Sequence, residues 1–277
     1  MDLSIVIVSW NVKDKLYNNL SAIFSSRGVY SFEVFVVDNA STDGSADMVR
    51  QEFPQVRLIA NQENIGFSRA NNLALKQATG EFILLLNPDM LPGVDTFTEA
   101  LTWARFNPQA AVSGCRLVGP DGQTIEQVRR FPRLSDQLFI TLKLPHVFPA
   151  LLNSYLNKGF DYNRAAKVDS LRGAFFLINR ARYKEISGQD VPQLDERYFV
   201  WFEEVDFCRQ IYKQGGEVWY CPNASCLDYV GASFKQLPRG QGQSYFSDSM
   251  IKYFAKWHKP WEASVLRAAW RLVRLFI

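Results

Sequence analysis

The chain has 277 residues and a net charge of +3, with 47% hydrophobic and 21% charged residues. That is enough for one large or two small domains around a sizeable core, with the composition of a soluble globular protein. The charge is too small to indicate nucleic-acid binding, and with only His146 and His258 a His-rich metal site is excluded.

The cysteines Cys115, Cys208, Cys221 and Cys226 form no CxxC pair and fit free thiols in a reducing compartment. Met1-Asp2-Leu3 carries no basic leader, and no apolar run reaches the length of a membrane span. A cytoplasmic location is the expectation that follows.

Residues 3–10 are apolar and β-branched and predict a first strand, followed by a helix over 13–26 with Leu16, Leu20, Ile23 and Phe24 at helical spacing. A second buried strand, 32–37, ends in Asp38-Asn39-Ala40-Ser41-Thr42-Asp43-Gly44. A helix over 45–53, a short strand over 56–59 and a helix over 70–78 come next, the last closed by Thr79-Gly80. Strand alternating with helix argues for a parallel sheet with right-handed crossovers.

Glu81 to Asp89 is the organising stretch. Five apolar residues, Phe82 to Leu86, end abruptly in Asn87-Pro88-Asp89, the pattern of a strand buried on both faces and stopped by a proline without a donor. Ligands of open α/β sheets bind at that carboxyl edge, where a carboxylate suits a hard cation and the cation a diphosphate. The same tripeptide also fits a plain tight turn.

Further on, the patterns predict a surface helix over 96–106, strands over 110–117, 171–178 and 218–221, and a helix over 181–186. Residues 138–156 are apolar and broken by prolines, which fits a mobile flap, a membrane-facing segment or a loop packed on the core. GxGxxG and GxxxxGK[ST] signatures are absent, which counts against dehydrogenases and P-loop nucleotidases.

Several side chains stand out chemically. Asp38 at a strand end can accept from a base or a ribose hydroxyl, whereas Asp43 reads as a helix-capping residue. Arg69 suits a phosphate or a carboxylate, or a solvated helix face. Glu203, Glu204 and Asp206 follow an aromatic run containing Trp201 and Phe202. Desolvation and like-charge proximity there raise carboxyl pKa values toward those of a general base, while acids at a helix start also suit its dipole. Asp228 precedes Gly231-Ala232-Ser233, a turn that lets backbone approach a phosphate or simply ends a strand.

In order, Val6-Ile7-Val8-Ser9-Trp10-Asn11, Val37-Asp38-Asn39-Ala40-Ser41-Thr42-Asp43-Gly44, Asn64-Ile65-Gly66-Phe67, Asn87-Pro88-Asp89, Arg172-Gly173-Ala174, Phe202-Glu203-Glu204-Val205-Asp206-Phe207-Cys208 and Gly231-Ala232-Ser233 resemble family 2 glycosyltransferases, in particular the rhamnosyltransferase-like branch that builds bacterial surface polysaccharides. The resemblance spans residues 3–235.

It implies an α/β GT-A fold: a single Rossmann-like, mostly parallel sheet with flanking helices. Residues 1–235 would form the transferase domain, with a nucleotide-binding half over 1–95 and an acceptor half over 96–235, followed by a helical extension over 236–277. The implied activity is inverting, metal-dependent transfer from a dTDP- or UDP-sugar to a glycan or lipid-linked acceptor, with Mg²⁺ or Mn²⁺. Asp38 would then meet the pyrimidine ring, with Ser9 and Asn11 in the nucleotide pocket and Asn64, Gly66, Phe67 and Arg69 on the ribose and diphosphate side. Asp89 would be a metal ligand, Arg172, Gly173 and Trp201 would lie on the acceptor side, and Glu204 would be the base, with Glu203 and Asp206 as substitutes.

Two positions depart from the family pattern: Asn87 replaces the first acid of the DxD-type motif, and Asp228 stands where many relatives carry a metal-binding histidine. Asp89, Asp228, diphosphate oxygens and water would make an all-oxygen shell, which suits Mg²⁺ or Mn²⁺ over zinc; the alternative is a weak or lost metal site. The rival functions are a nucleotidyltransferase, disfavoured because Ser9-Trp10-Asn11-Val12 is not a glycine-rich basic loop, and an idle nucleotide-sugar-binding module.

In the last 26 residues Lys252, Lys256, Lys259, Arg267, Arg271 and Arg274 face one acid, Glu262. Arg267, Arg271 and Arg274 share a helical face, with Leu266, Trp270, Val273 and Ile277 elsewhere around it. Such a helix reads as an anchor on the inner-membrane surface, or as a helix docked on the domain with its arginines in water.

Overall fold

The computed structural model describes residues 1–229 and 240–274. The chain opens with β1 (Leu3–Ser9), α1 (Lys13–Phe24), β2 (Phe32–Asp38), α2 (Ser45–Glu52), β3 (Arg57–Ala60), α3 (Phe67–Leu75) and β4 (Phe82–Leu86). These form a parallel half-sheet in the order β3-β2-β1-β4. Every residue of β1 and β4 is buried.

The two-residue period of a strand divides these side chains between two layers. Ile5, Ile7, Val34, Val36 and Leu84 pack with Leu16 and Leu20 of α1 and Val49 of α2. Val6, Val8, Phe35, Val37, Ile83 and Leu85 pack on the other side with Ala70 and Ala74 of α3. Each large side chain so buried contributes about 1.5–3 kcal/mol.

The second half comprises β5 (Met90–Pro92), α4 (Thr96–Phe106), β6 (Ala110–Val118), α5 (Leu134–Thr141), two short 3₁₀ turns (Leu144–His146 and Pro149–Leu152), β7 (Ala166–Lys167), β8 (Phe175–Asn179), α6 (Arg180–Ser187), α7 (Glu203–Lys213), β9 (Glu217–Asp228), α8 (Gln241–Trp257) and α9 (Pro260–Arg274). The sheet continues from β4 through β8, β6 and β9 to β5, with β7 on β9. β8 runs antiparallel to both β4 and β6, so the sheet is mixed beyond its parallel half.

Several expectations shift in detail. The strand expected over 171–178 is Phe175–Asn179, which leaves Arg172, Gly173 and Ala174 at the sheet rim. The strand expected over 218–221 extends to twelve residues, Glu217–Asp228, because an alternating exposed and buried pattern continues through polar Asn223 and Ser225. α3 begins at Phe67, three residues earlier than the apolar spacing suggested, since its first turn is buried through Ser68 rather than through an apolar residue. α4 keeps its expected bounds but buries Phe97, Ala100, Leu101 and Ala104 on the sheet.

α8 and α9 are packed on the body. Met250, Tyr253 and Phe254 of α8 and Ala263, Leu266 and Trp270 of α9 form a third cluster with Tyr198 and Phe202, against which Leu134 and Leu138 of α5 also pack. The Leu266–Trp270 face is therefore occupied by protein, and the helix is docked.

Candidate active site

The parallel half-sheet puts the ends of β1, β2 and β4 on one rim, with Ser9 in register with Asp38. A cavity of about 700 Å³ opens there, lined by Trp10 and Asn11 after β1, Asn39 after β2, Asn64, Gly66 and Phe67 at the start of α3, and Asn87, Pro88 and Asp89 after β4. Its other wall is Arg172, Gly173 and Ala174, the loop 199–201, Glu203 and Glu204, and Gln241 and Tyr245 of α8. The volume suits a small-molecule site.

On the first wall, side chains brace the backbone. Asn39 donates from Nδ2 to Asn64 Oδ1 at 2.9 Å and accepts at Oδ1 from Asn61 Nδ2 at 3.0 Å and Ile65 N–H at 3.2 Å. Asn64 Oδ1 also takes the Gly66 N–H. Gly66 has φ +86°, and a Cβ there would lie 2.7 Å from the Phe199 carbonyl oxygen, so only glycine allows the two loops to meet. Phe67 N–H donates to that same oxygen. Asn11, itself at φ 51°, accepts the Thr42 N–H at 2.7 Å. Asp43 takes the Ser45 and Lys13 N–H groups and so caps as expected.

Ser9 and Asp38 are buried at the rim, but it is their neighbours Val8, Trp10 and Asn39 that line the cavity. Asp38 Oδ2 accepts the Ser41 N–H, while Asp38 Oδ1 and Ser9 Oγ lack hydrogen-bond partners among the described residues. Arg69, on the first turn of α3, is exposed, with Nε 3.8 Å from Glu196, and is not among the residues that line the cavity.

On the opposite wall, Trp201 and Phe202 both have positive φ, 65° and 69°. Two consecutive non-glycine residues there cost about 1–3 kcal/mol each. Burial of Phe202 against Phe246 and Tyr253, with ring centroids at 5.5 and 5.4 Å, offsets that strain. Ser249 Oγ donates to the Val200 carbonyl, and Tyr245 stacks on Phe199 at 4.5 Å, so α8 pins the loop. The resulting reversal starts α7 with Glu203 and Glu204 at the cavity.

Oε2 of each glutamate is buried without a hydrogen-bond partner among the described residues. Burial drives the Glu203 carboxyl well above its ordinary value, and the Glu204 charge adds to the rise. Burial also raises Glu204, but its own backbone N–H and the Arg172 guanidinium oppose the rise. Of the two, Glu204 is the one kept closer to ionisation. Gly173 packs under it: a Cβ at Gly173 would sit 3.3 Å from Glu204 Cβ.

Asp206 does not line the cavity. It is fully buried away from the cavity and accepts from Lys256 Nζ at 2.7 Å, Trp257 Nε1 at 2.5 Å, Gln210 Nε2 at 2.5 Å and Tyr198 OH at 3.2 Å. Those donors, from α8, from Gln210 one turn further along α7 and from the loop before α7, give it a structural role.

β5 pairs with the end of β9 so that Met90 is opposite Asp228 and the Tyr229 N–H donates to the Asp89 carbonyl at 3.3 Å, which leaves Asp89 and Asp228 one register step apart. Asp228 is buried and ion-paired with Arg172 Nη1 at 3.0 Å. Among the described residues no three or more His, Cys, Asp or Glu cluster to hold a metal. Asp89 lines the cavity and Asp228 does not, and a single carboxylate there is compatible with a Mg²⁺- or Mn²⁺-type site, in which one or two carboxylates and substrate phosphates share the ion. The Gly231-Ala232-Ser233 turn and Ile277 lie outside the described residues.

Asn39, Phe199, Gln241 and Tyr245 were not singled out from the sequence. Asn39 stood in the motif after Asp38, whereas nothing in the α8 sequence marks Gln241 or Tyr245 as cavity residues.

Residues 4–185 match the model described as Glycosyl transferase family 2. The chain belongs to that family and is a glycosyltransferase. It is 26% identical over 247 residues to the N-acetylglucosaminyl-diphospho-decaprenol L-rhamnosyltransferase of Mycobacterium tuberculosis, covering 84% of this chain and 78% of that one. It is 24% identical to the rhamnosyltransferase WbbL of Escherichia coli, over 70% of this chain and 67% of that one. The fold is GT-A. The Pyrobaculum calidifontis mannosyltransferase PcManGT, solved with GDP-Man and Mn²⁺, aligns with a TM-score of 0.60 at 21% identity, over 98% of this chain and 69% of that one. Staphylococcus aureus TarS, solved with UDP-GlcNAc, aligns with a TM-score of 0.58 at 16% identity, over 98% and 71%.

Proposed function

We propose that the protein transfers a sugar, rhamnose in the first instance, from a dTDP- or UDP-linked donor to a hydroxyl of a glycan or lipid-linked acceptor, with inversion at the anomeric carbon. The observation that carries this reading is that Glu204 and Asp89 line one cavity, Glu204 with an unpartnered carboxylate oxygen among the described residues. The rhamnosyltransferase relatives support the sugar, and the decaprenol-linked substrate named for one of them supports the acceptor class.

Glu204 takes the proton of the acceptor hydroxyl. The acceptor oxygen bonds to the anomeric carbon from the face opposite the diphosphate, and the bond to the diphosphate breaks with its electrons leaving on the nucleoside diphosphate. Glu203, driven toward its neutral form by burial, keeps a second charge out of the cavity. Asp89 and Asp228 would hold a divalent ion, which supplies charge neutralisation for the leaving diphosphate when bound. Arg172, fixed by Asp228 and lining the cavity, places a further cation on that side.

The test is Glu204→Gln, with donor binding followed by thermal shift across dTDP-, UDP- and GDP-sugars and product configuration by NMR. Turnover falls about 10²–10⁴-fold with donor binding retained. Near-normal turnover, or a product that retains the donor configuration, overturns the reading.

A further inference from the structure

More than half of the large apolar side chains exposed among the described residues fall in two stretches, 142–151 and 261–272. In the first, Leu142, Val147 and Phe148 are 46, 70 and 59% exposed; in the second, Trp261, Val265 and Leu272 are 55, 37 and 60% exposed. α5 packs on α9 through the cluster that holds Leu266 and Trp270, and its carboxyl end leads directly into Leu142, so the two stretches border one helical layer. At about 100° per residue, Trp261, Val265 and Leu272 form one ridge on the side of α9 opposite Leu266 and Trp270, with Arg267 and Arg271 exposed along one flank.

The charge of this surface is one-sided. Residues 142–152 contain Lys143 and no acid. The one acid of α9, Glu262, is engaged by His258 Nδ1 at 3.3 Å and the Lys259 N–H. Apolar side chains bordered by arginines match the interface of an anionic bilayer, where rings and aliphatic chains enter the headgroup boundary and guanidinium groups meet phosphates. A second copy fits less well, because a two-fold contact sets this surface against itself and brings arginines together. Among the described residues no helix is long and apolar enough to cross a membrane, so the contact is one of lying on the surface.

We propose that the ridge of α9 and the 142–151 segment together form a docking surface for anionic phospholipid bilayers. It differs from a free amphipathic anchor: the inner face of α9 stays in the protein core and the outer face meets lipid. α8 carries α9 and also lends Gln241 and Tyr245 to the active-site wall, so docking holds the cavity one helix away from the lipid surface. The inference stands on exposure and charge and is independent of the sugar and acceptor proposed above.

The full chain is tested by flotation with vesicles of mixed phosphatidylglycerol and phosphatidylcholine, against pure phosphatidylcholine, with thermal melts confirming that each variant is folded. Binding to the anionic vesicles alone, weakened by salt, is expected. Trp261→Ser/Leu272→Ser and Phe148→Ser each reduce it, and Arg267→Ala/Arg271→Ala lowers affinity about twenty-five-fold, at roughly fivefold per arginine. Failure of the wild type to float with anionic vesicles overturns the proposal, as does binding that these variants leave unchanged. A dimer seen by light scattering and abolished by Leu272→Ser also overturns it, by assigning the surface to a second copy.

Discussion

Asp206→Ala separates a structural acid from a chemical one. The wild-type carboxylate is fully buried and receives hydrogen bonds from Lys256, Trp257, Gln210 and Tyr198, which tie α7 to α8 and to the loop before α7. Truncation leaves the Trp257 N–H and Tyr198 hydroxyl buried without that acceptor, at about 1–3 kcal/mol per group. It also removes one of two partners of Lys256, which keeps Asp195 at 2.8 Å. Breaking a buried pair costs about 3–5 kcal/mol, and we expect the total to fall in that range because the surviving Lys256–Asp195 contact limits the loss. For a chain of this size that lowers Tm by roughly 6–20 °C. Urea denaturation gives the stability, and turnover at a temperature where the variant remains folded gives the activity. Much reduced stability with turnover per folded molecule within a few-fold of wild type is the expected pair of results. Normal stability with abolished turnover refutes the reasoning and returns Asp206 to the chemistry.

Three further outcomes follow from the geometry. Glu203→Gln should raise stability at neutral and higher pH: the folded carboxyl titrates well above 4.5 and the unfolded one near it, so the wild type loses stability as pH rises through that window, and the gain of the variant shrinks below it. Equal pH–Tm profiles for the two proteins would remove the buried-charge argument. Gly173→Ala should lower kcat about tenfold while leaving donor KM unchanged, because the new methyl, 3.3 Å from Glu204 Cβ, displaces that side chain by a few tenths of an ångström; a changed KM with normal kcat would place Gly173 at the donor instead. Asp89→Ala should abolish the added thermal stabilisation that Mn²⁺ gives the donor complex of the wild type, and a retained Mn²⁺ effect would exclude Asp89 as a ligand.

Much of this protein is written locally. The apolar run of β4 and its stop at Pro88 needed only the pleat of a buried strand and the missing proline donor, and the alternating first strands and helices specified a parallel half-sheet whose ends share a rim. That rim brings Asn11, Asn64, Gly66, Phe67, Asn87 and Asp89 to one cavity, and the same motif order identified the family.

Only the tertiary structure decided what each charged side chain faces. Glu203, Glu204 and Asp206 all carry a carboxylate, yet the first two meet the cavity while Asp206 meets Lys256 and Trp257, some fifty residues away in sequence. Arg69 turns outward to Glu196, Arg172 is taken by Asp228, and α8 closes the active-site wall with Gln241 and Tyr245. The physical reason is that periodicity and turn chemistry act between near neighbours in the chain, whereas burial of a charge is settled by whichever distant donors the packed helices bring to it.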